Sequence, residues 1–163
     1  MLLRHRATLS SGNQVFVDGR PWTAEEVARD VEKAAGDGTR LVQSDLEDRF
    51  GILPLLVATD GILAAVGYDR RRFRPNLVIG GVPGLSERQW EGAWLRTGPI
   101  VIGIQDLRIR CIMITFDPDS GQQDLGVLRW VQREFNGRLG LNSYVVAPGH
   151  VSVGDTVELI PRS

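Results

Sequence analysis

Cysteine is almost missing from this chain. Cys111 is the only one in 163 residues, so no internal disulfide can form. Histidine is nearly as scarce: His5 and His150 lie far apart, no Cys pair exists, and zinc is poorly supported. Neither sign of charge is in excess, with 19 Lys and Arg against 20 Asp and Glu and a formal net charge of −1. That balance argues against a nucleic-acid or membrane-surface partner, which would call for a basic surplus. No apolar run approaches the roughly 20 residues of a membrane span. Met1 to Arg6 hold no apolar stretch long enough for a secretory signal. With the lone cysteine, this sets a cytoplasmic expectation. Also missing are G-x-G-x-x-G and phosphate-loop motifs, a local Ser-His-acid signature, internal repeats and low-complexity tracts.

What remains is the balance of a soluble globular protein, 42% hydrophobic and 24% charged, long enough to bury a core. Gln14–Asp18 alternates like a short strand, and Asp18-Gly19-Arg20-Pro21 reads as a turn. Thr23 and Glu26 have capping-box spacing, and Val27, Val31 and Ala34 follow at helical intervals before Gly36. A helix over 24–35 is predicted. The stretch from Leu41 to Asp48 is polar and ambiguous. Ile52 to Val57 is a buried run that Pro54 demotes to an edge strand or a strand entrance. Thr59-Asp60-Gly61 can cap a short helix through Val66, and Asn76–Ile79 reads as a strand before a Gly80-Gly81 turn.

The second half is mostly β: Ile100–Ile104, Leu107–Phe116, Ser143–Val146 and Thr156–Ile160. One helix interrupts, with Leu125, Leu128, Val131 and Phe135 on one face and Asn136-Gly137 at its end. Short strands, many glycine turns and about three short helices predict a mainly β (α+β) fold. Its form is a closed or partly open β-barrel rather than alternating βαβ units. The expected organisation is an N-terminal strand-helix extension, 1–49, packed on a barrel domain, 50–163.

Two features carry candidate chemistry. Arg70-Arg71-Arg72-Phe73-Arg74-Pro75-Asn76 concentrates positive charge that the whole chain lacks. If 72–76 is extended, Arg72, Arg74 and Asn76 share a face, a cradle for an anionic ligand that guanidinium forks can grip. The alternative is a solvated loop paired with nearby acids. Cys111 follows Arg108-Ile109-Arg110, where two arginines would favour a thiolate. In a regular strand, Cys111 shares a face with Leu107, Ile109 and Met113 and is a small buried hydrophobe. A ligand-facing thiol needs a strand end, a bulge or a barrel mouth. Asp117-Pro118-Asp119-Ser120-Gly121 reads as a tight turn, and Asp155 and Glu158 as turn and surface charge.

Taken together, several segments resemble the MOSC domain, the family named for the C-terminal region of molybdenum cofactor sulfurases. They are Arg72-Phe73-Arg74-Pro75-Asn76, Glu87-Arg88-Gln89-Trp90, Gly103, Arg110-Cys111, Asp117 to Gly121, and Gly149 with Val153-Gly154-Asp155. Their order and spacing agree over about residues 50–160. The resemblance implies a barrel-like fold and a molybdenum cofactor, a molybdopterin. Cys111 would be the molybdenum ligand or persulfide carrier. Arg72, Arg74 and Asn76 would hold the pterin and its phosphate, Thr59 and Asp60 would border the ligand, and Arg110 would lie beside the thiol. The implied activity is a molybdenum-dependent oxidoreductase that reduces N-hydroxylated small molecules with a separate electron-transfer partner. Two rivals stand beside it: a sulfur carrier loaded by a separate cysteine desulfurase, and a non-catalytic binding module. The sulfurases' pyridoxal-phosphate domain has no counterpart here, so no pyridoxal-phosphate site is expected.

Overall fold

The computed structural model describes residues 5–43 and 53–161. These fall into two compact units, one of 5–43 with 118–121, the other of 53–117 and 122–161. Ile52, and the ambiguous stretch beyond Gln43, lie outside the described residues.

In the first unit, β1 (Ala7–Leu9), β2 (Val15–Val17) and β3 (Arg20–Pro21) form an antiparallel sheet in that order. Asp18 and Gly19 turn the chain between β2 and β3 with φ of 50° and 79°, the left-handed pair that suits a tight hairpin. The Asp18 carboxylate accepts from the Arg6 N–H at 2.8 Å and pairs with the His5 ring at 2.8 Å. Helix α1 (Glu25–Ala35) buries Val27 and Val31, as its periodicity predicts. Its capping box does not form: the N-cap is Ala24, and no side chain caps the helix.

The second unit is built on six strands, β4 (Leu55–Thr59), β5 (Leu77–Ile79), β6 (Trp94–Thr97), β7 (Ile100–Ile109), β8 (Arg138–Ala147) and β9 (Glu158–Ile160). They run in the order β5-β4-β8-β7-β6-β9 and curl into a half-barrel, the partly open form of the predicted architecture. All neighbours are antiparallel except β4 and β5. That parallel pair requires a crossover, supplied by helix α2 (Asp60–Ala65) and a 3₁₀ turn at Arg70–Phe73. Pro54 precedes β4 and marks its entrance, not a sheet edge, since β4 lies between β5 and β8.

Two apolar clusters lie on the two faces of the sheet. Ala58 and Leu139 pack with Ile62 of α2, Phe73, Ile114, and Val127, Val131 and Phe135 of helix α3 (Leu125–Phe135). Leu125 is outside that contact at 46% exposure, and Val127 takes the inward place. Val57, Leu95, Ile102, Ile104 and Leu141 line the opposite, concave face. The predicted strand through Phe116 stops at Ile109, and Ile112–Thr115 turns as a 3₁₀ helix with Ile114 and Thr115 buried.

Candidate functional site

The end of β7 sets the position of Cys111. Register shifts between Ile104 and Asp106 and between Leu107 and Ile109 break the β7–β8 ladder, which closes at Ile109 opposite Arg138. The Arg110 N–H still reaches the Gly137 carbonyl at 2.9 Å. Cys111 then leaves the sheet in an extended conformation and starts the 3₁₀ turn. Its side chain is exposed, contrary to the buried position that a regular strand would give. The bulge and the strand end together turn it outward. Ile109 and Ile112 beside it are also exposed, at 62% and 48%.

Arg110 turns the other way. Its Nη2 donates to the Phe73 carbonyl at 2.7 Å, and its guanidinium carbon lies 6.0 Å from the Phe73 ring centroid. Its Nε is buried with no partner among the described residues. Burial, reinforced by the positive charge of Arg108 and Arg74 and opposed by Cys111, lowers its pKa to about 10. The group remains a cation at neutral pH. Arg108 spans the neighbouring strand end, with its Nη1 donating to the Leu53 carbonyl and to the Asn142 side-chain oxygen.

The arginine turn folds differently from the extended segment its sequence suggests. Asp69 caps it, accepting from the Arg71 N–H at 2.8 Å and pairing with the Arg71 guanidinium at 2.7 Å. After the 3₁₀ turn, Arg74 takes φ 52°. Arg72, Arg74 and Asn76 therefore do not share a face. Arg72 folds inward at 11% side-chain exposure, donating to the Thr115 carbonyl at 3.0 Å and to Asp117 at 2.8 Å. Asn76 binds Leu56 twice: its side-chain oxygen accepts the Leu56 N–H at 2.8 Å, and its own N–H donates back at 2.8 Å. Only Arg74 of the three keeps its charge at a cavity. With Arg70 and Arg71 it rims a hollow of about 760 Å³ floored by Leu77, Ile79 and Ile102. Asn76 contributes to that wall as well, whereas Cys111, Arg110 and Arg72 are not among its lining residues.

Thr59 and Asp60 serve the start of α2. The Thr59 hydroxyl accepts the Ile62 N–H at 3.1 Å, the predicted cap, and donates to Glu87 Oε2 at 3.2 Å. The Asp60 carboxylate accepts from the Gly81 and Val82 N–H groups at 2.7 and 3.0 Å, which lower its pKa. Glu87 is the residue whose position pattern reading missed. It is 1% exposed, Oε1 has no partner among the described residues, and burial raises its pKa. Its sequence setting, Ser86-Glu87-Arg88-Gln89, is polar throughout and carries no sign of burial. Among the described residues no three His, Cys, Asp or Glu side chains group as a metal site. No helix of the described residues is long and apolar enough to cross a membrane.

A half-barrel with a lone exposed thiol at a strand end, stapled to an arginine turn, defines a class that comparison with known proteins also reaches. The MOSC domain family model matches residues 38–158, and the chain belongs to that family. It is 38% identical over 74 residues to molybdenum cofactor sulfurase 2 of Culex quinquefasciatus, 45% of this chain and 10% of that protein. It is 33% identical over 78 residues to molybdenum cofactor sulfurase of Anopheles gambiae, 48% of this chain and 10% of that protein. The match spans about a tenth of the length of these curated relatives. In fold it is similar to YiiM from Escherichia coli, with a TM-score of 0.52 and 21% identity over 72% of this chain and 59% of that one.

Proposed function

We propose that this domain handles the molybdenum cofactor, with Cys111 as the contact to the metal. The observation that carries the reading is the solvent-facing thiol beside a buried, incompletely paired guanidinium. The donor set fits such a group: a soft sulfur suits molybdenum, and arginines suit the cofactor's phosphate. Cys111 would hold the metal, while Arg110 and Arg74 would offset negative charge. When bound, the cofactor supplies oxygen-atom transfer, here assigned to N-hydroxylated small molecules with a separate electron donor.

The chain's own residues do the positioning. Arg72 ties the arginine turn to Thr115 and Asp117, just beyond the thiol. The same turn presents the Phe73 carbonyl, which holds Arg110. These two crosslinks run in opposite directions between one pair of segments, so the cation next to Cys111 stays fixed. Arg70, Arg71 and Arg74 rim a hollow whose lining does not include the thiol.

The test is metal content after expression in a host that makes the cofactor. Molybdenum near one atom per chain, lost at least about ten-fold in Cys111→Ala, supports the reading. A wild-type chain without molybdenum overturns it. One observation favours a second reading, a persulfide carrier: the exposed thiol between exposed Ile109 and Ile112 is open to a protein donor. Incubation with a cysteine desulfurase and cysteine would then add about 32 Da, lost in Cys111→Ala.

A further inference from the structure

Away from the thiol and the arginine hollow, the outer face of the sheet carries a second concavity, of about 720 Å³. The strand register explains it. Ile160 pairs with Trp94, Trp94 with Gly103, and Gly103 with Tyr144, so these four residues form one row across β9, β6, β7 and β8. Alternation turns this row outward, since the neighbouring Leu95 and Ile102 are buried on the concave side.

Gly103 is what shapes the row. A Cβ there would stand 2.4 Å from the Tyr144 ring, so only glycine lets the tyrosine lie across the β7 backbone. Trp94 rises on the other side of Gly103. Two strand spacings separate the backbones of Trp94 and Tyr144 by roughly 9–10 Å. The Tyr144 ring covers Gly103 in the middle of that span, so a flat ring would lie on the exposed Tyr144 ring with Trp94 beside it. The walls remain open to solvent, with Trp94 45% and Tyr144 37% exposed. Gln105, the next outward residue along β7, lines the same trough and is exposed. Its side-chain amide offers a donor and an acceptor side by side. The remaining lining includes Ile160 and Pro161, with no lysine, arginine or carboxylate.

We propose that this trough binds a neutral flat heteroaromatic ring, a nucleobase-like group stacked on Tyr144 beside Trp94 with Gln105 reading a neighbouring donor and acceptor on its edge. Aromatic walls favour a π-face of any identity, and the amide selects among rings by their edge. The absence of formal charge in the lining favours an uncharged ring over an anion, in contrast to the arginine-rimmed hollow. The site shares no lining residue with that hollow and does not include Cys111.

The test is titration of the full chain with adenosine and guanosine, followed by amide and indole NMR shifts. Saturable binding of either nucleoside is expected, with affinity falling about ten-fold or more in Trp94→Ala and Tyr144→Ala. Trp94→Phe, which keeps a ring, should retain most of the binding and shows that the loss in Trp94→Ala is not misfolding. N6,N6-dimethyladenosine, which lacks the edge donor, should bind more weakly than adenosine, and Gln105→Ala should erase that difference. Cys111→Ala should bind as the wild type does, so the outcome is separable from that of the molybdenum test. No saturable shift with either nucleoside, or equal binding by the wild type and Trp94→Ala, overturns the proposal.

Discussion

The turn that carries Arg70 to Arg74 and the corner that carries Arg110 and Cys111 are laced together, yet they are satisfied to different degrees. In the turn, Arg71 pairs with Asp69, Arg72 with Thr115 and Asp117, and Asn76 with Leu56. At the corner, the Arg110 Nε has no partner among the described residues, the thiol is exposed, and two isoleucines beside it face solvent. Side chains with their hydrogen bonds already made inside the chain have little left to offer a ligand. Those with desolvated, unused donors do. The comparison gives Arg71, Arg72 and Asn76 a part in holding shape, and under the proposed function Arg74, Arg110 and Cys111 are the groups that would meet a ligand.

The largest effect that would break this comparison is on Arg72. If it is structural, Arg72→Ala should cost about 2–3 kcal/mol, read from urea unfolding, because it removes a charged donor from two acceptors in a poorly hydrated place. A near-zero cost would return Arg72 to the ligand-binding set. Next comes Thr59→Ala, which removes a helix cap and the hydroxyl facing Glu87, for a loss of about 1–2 kcal/mol in the same assay.

Glu87 sharpens the contrast through pH. Its carboxyl titrates above the ordinary value of 4.5 because burial penalises the charged form. The folded state therefore binds its proton more tightly than the unfolded chain does. That contribution is complete below the ordinary value and is lost as pH rises through the raised one. Urea midpoints followed from about pH 4 to pH 8 should fall less steeply with rising pH in Glu87→Gln than in the wild type. A steeper fall in the variant contradicts the burial argument. The smallest effect on stability belongs to Cys111→Ala, within about 0.5 kcal/mol of the wild type, as for an exposed side chain. Iodoacetamide should label the native thiol within about ten-fold of the rate in urea-unfolded chain. Protection much beyond that would mean a sealed sulfur.

Much of the architecture was legible because periodicity reports burial. Val27 and Val31, the β4 run after Pro54, and the helix stopped at Asn136-Gly137 all follow from spacing and turn chemistry. The segment 107–116 reads as one strand because Ile109, Cys111 and Met113 alternate as a strand would, while the break in pairing with β8 that ends it at Ile109 is a property of two segments and invisible in one. The parallel pairing of β4 with β5 is hidden for the same reason. The site was legible as a set of residues, not as a geometry. Arg72 looks like Arg74 in sequence, and what separates them is a carboxylate at position 117 and a left-handed backbone at position 74. Thr23 and Glu26 fit the capping spacing, yet Ala24 stands at the cap.

The pairing of β6 with β9 has a consequence for biosynthesis. Trp94 to Arg96 pair with β7 on one side, but on the other they find partners only at Glu158 to Ile160, so during translation that edge of the nascent sheet stays uncovered while more than a third of the chain is still being made. A ribosome stalled anywhere in that interval would display a row of unpaired amides flanked by Trp94 and Leu95, a ready template for another unfinished copy.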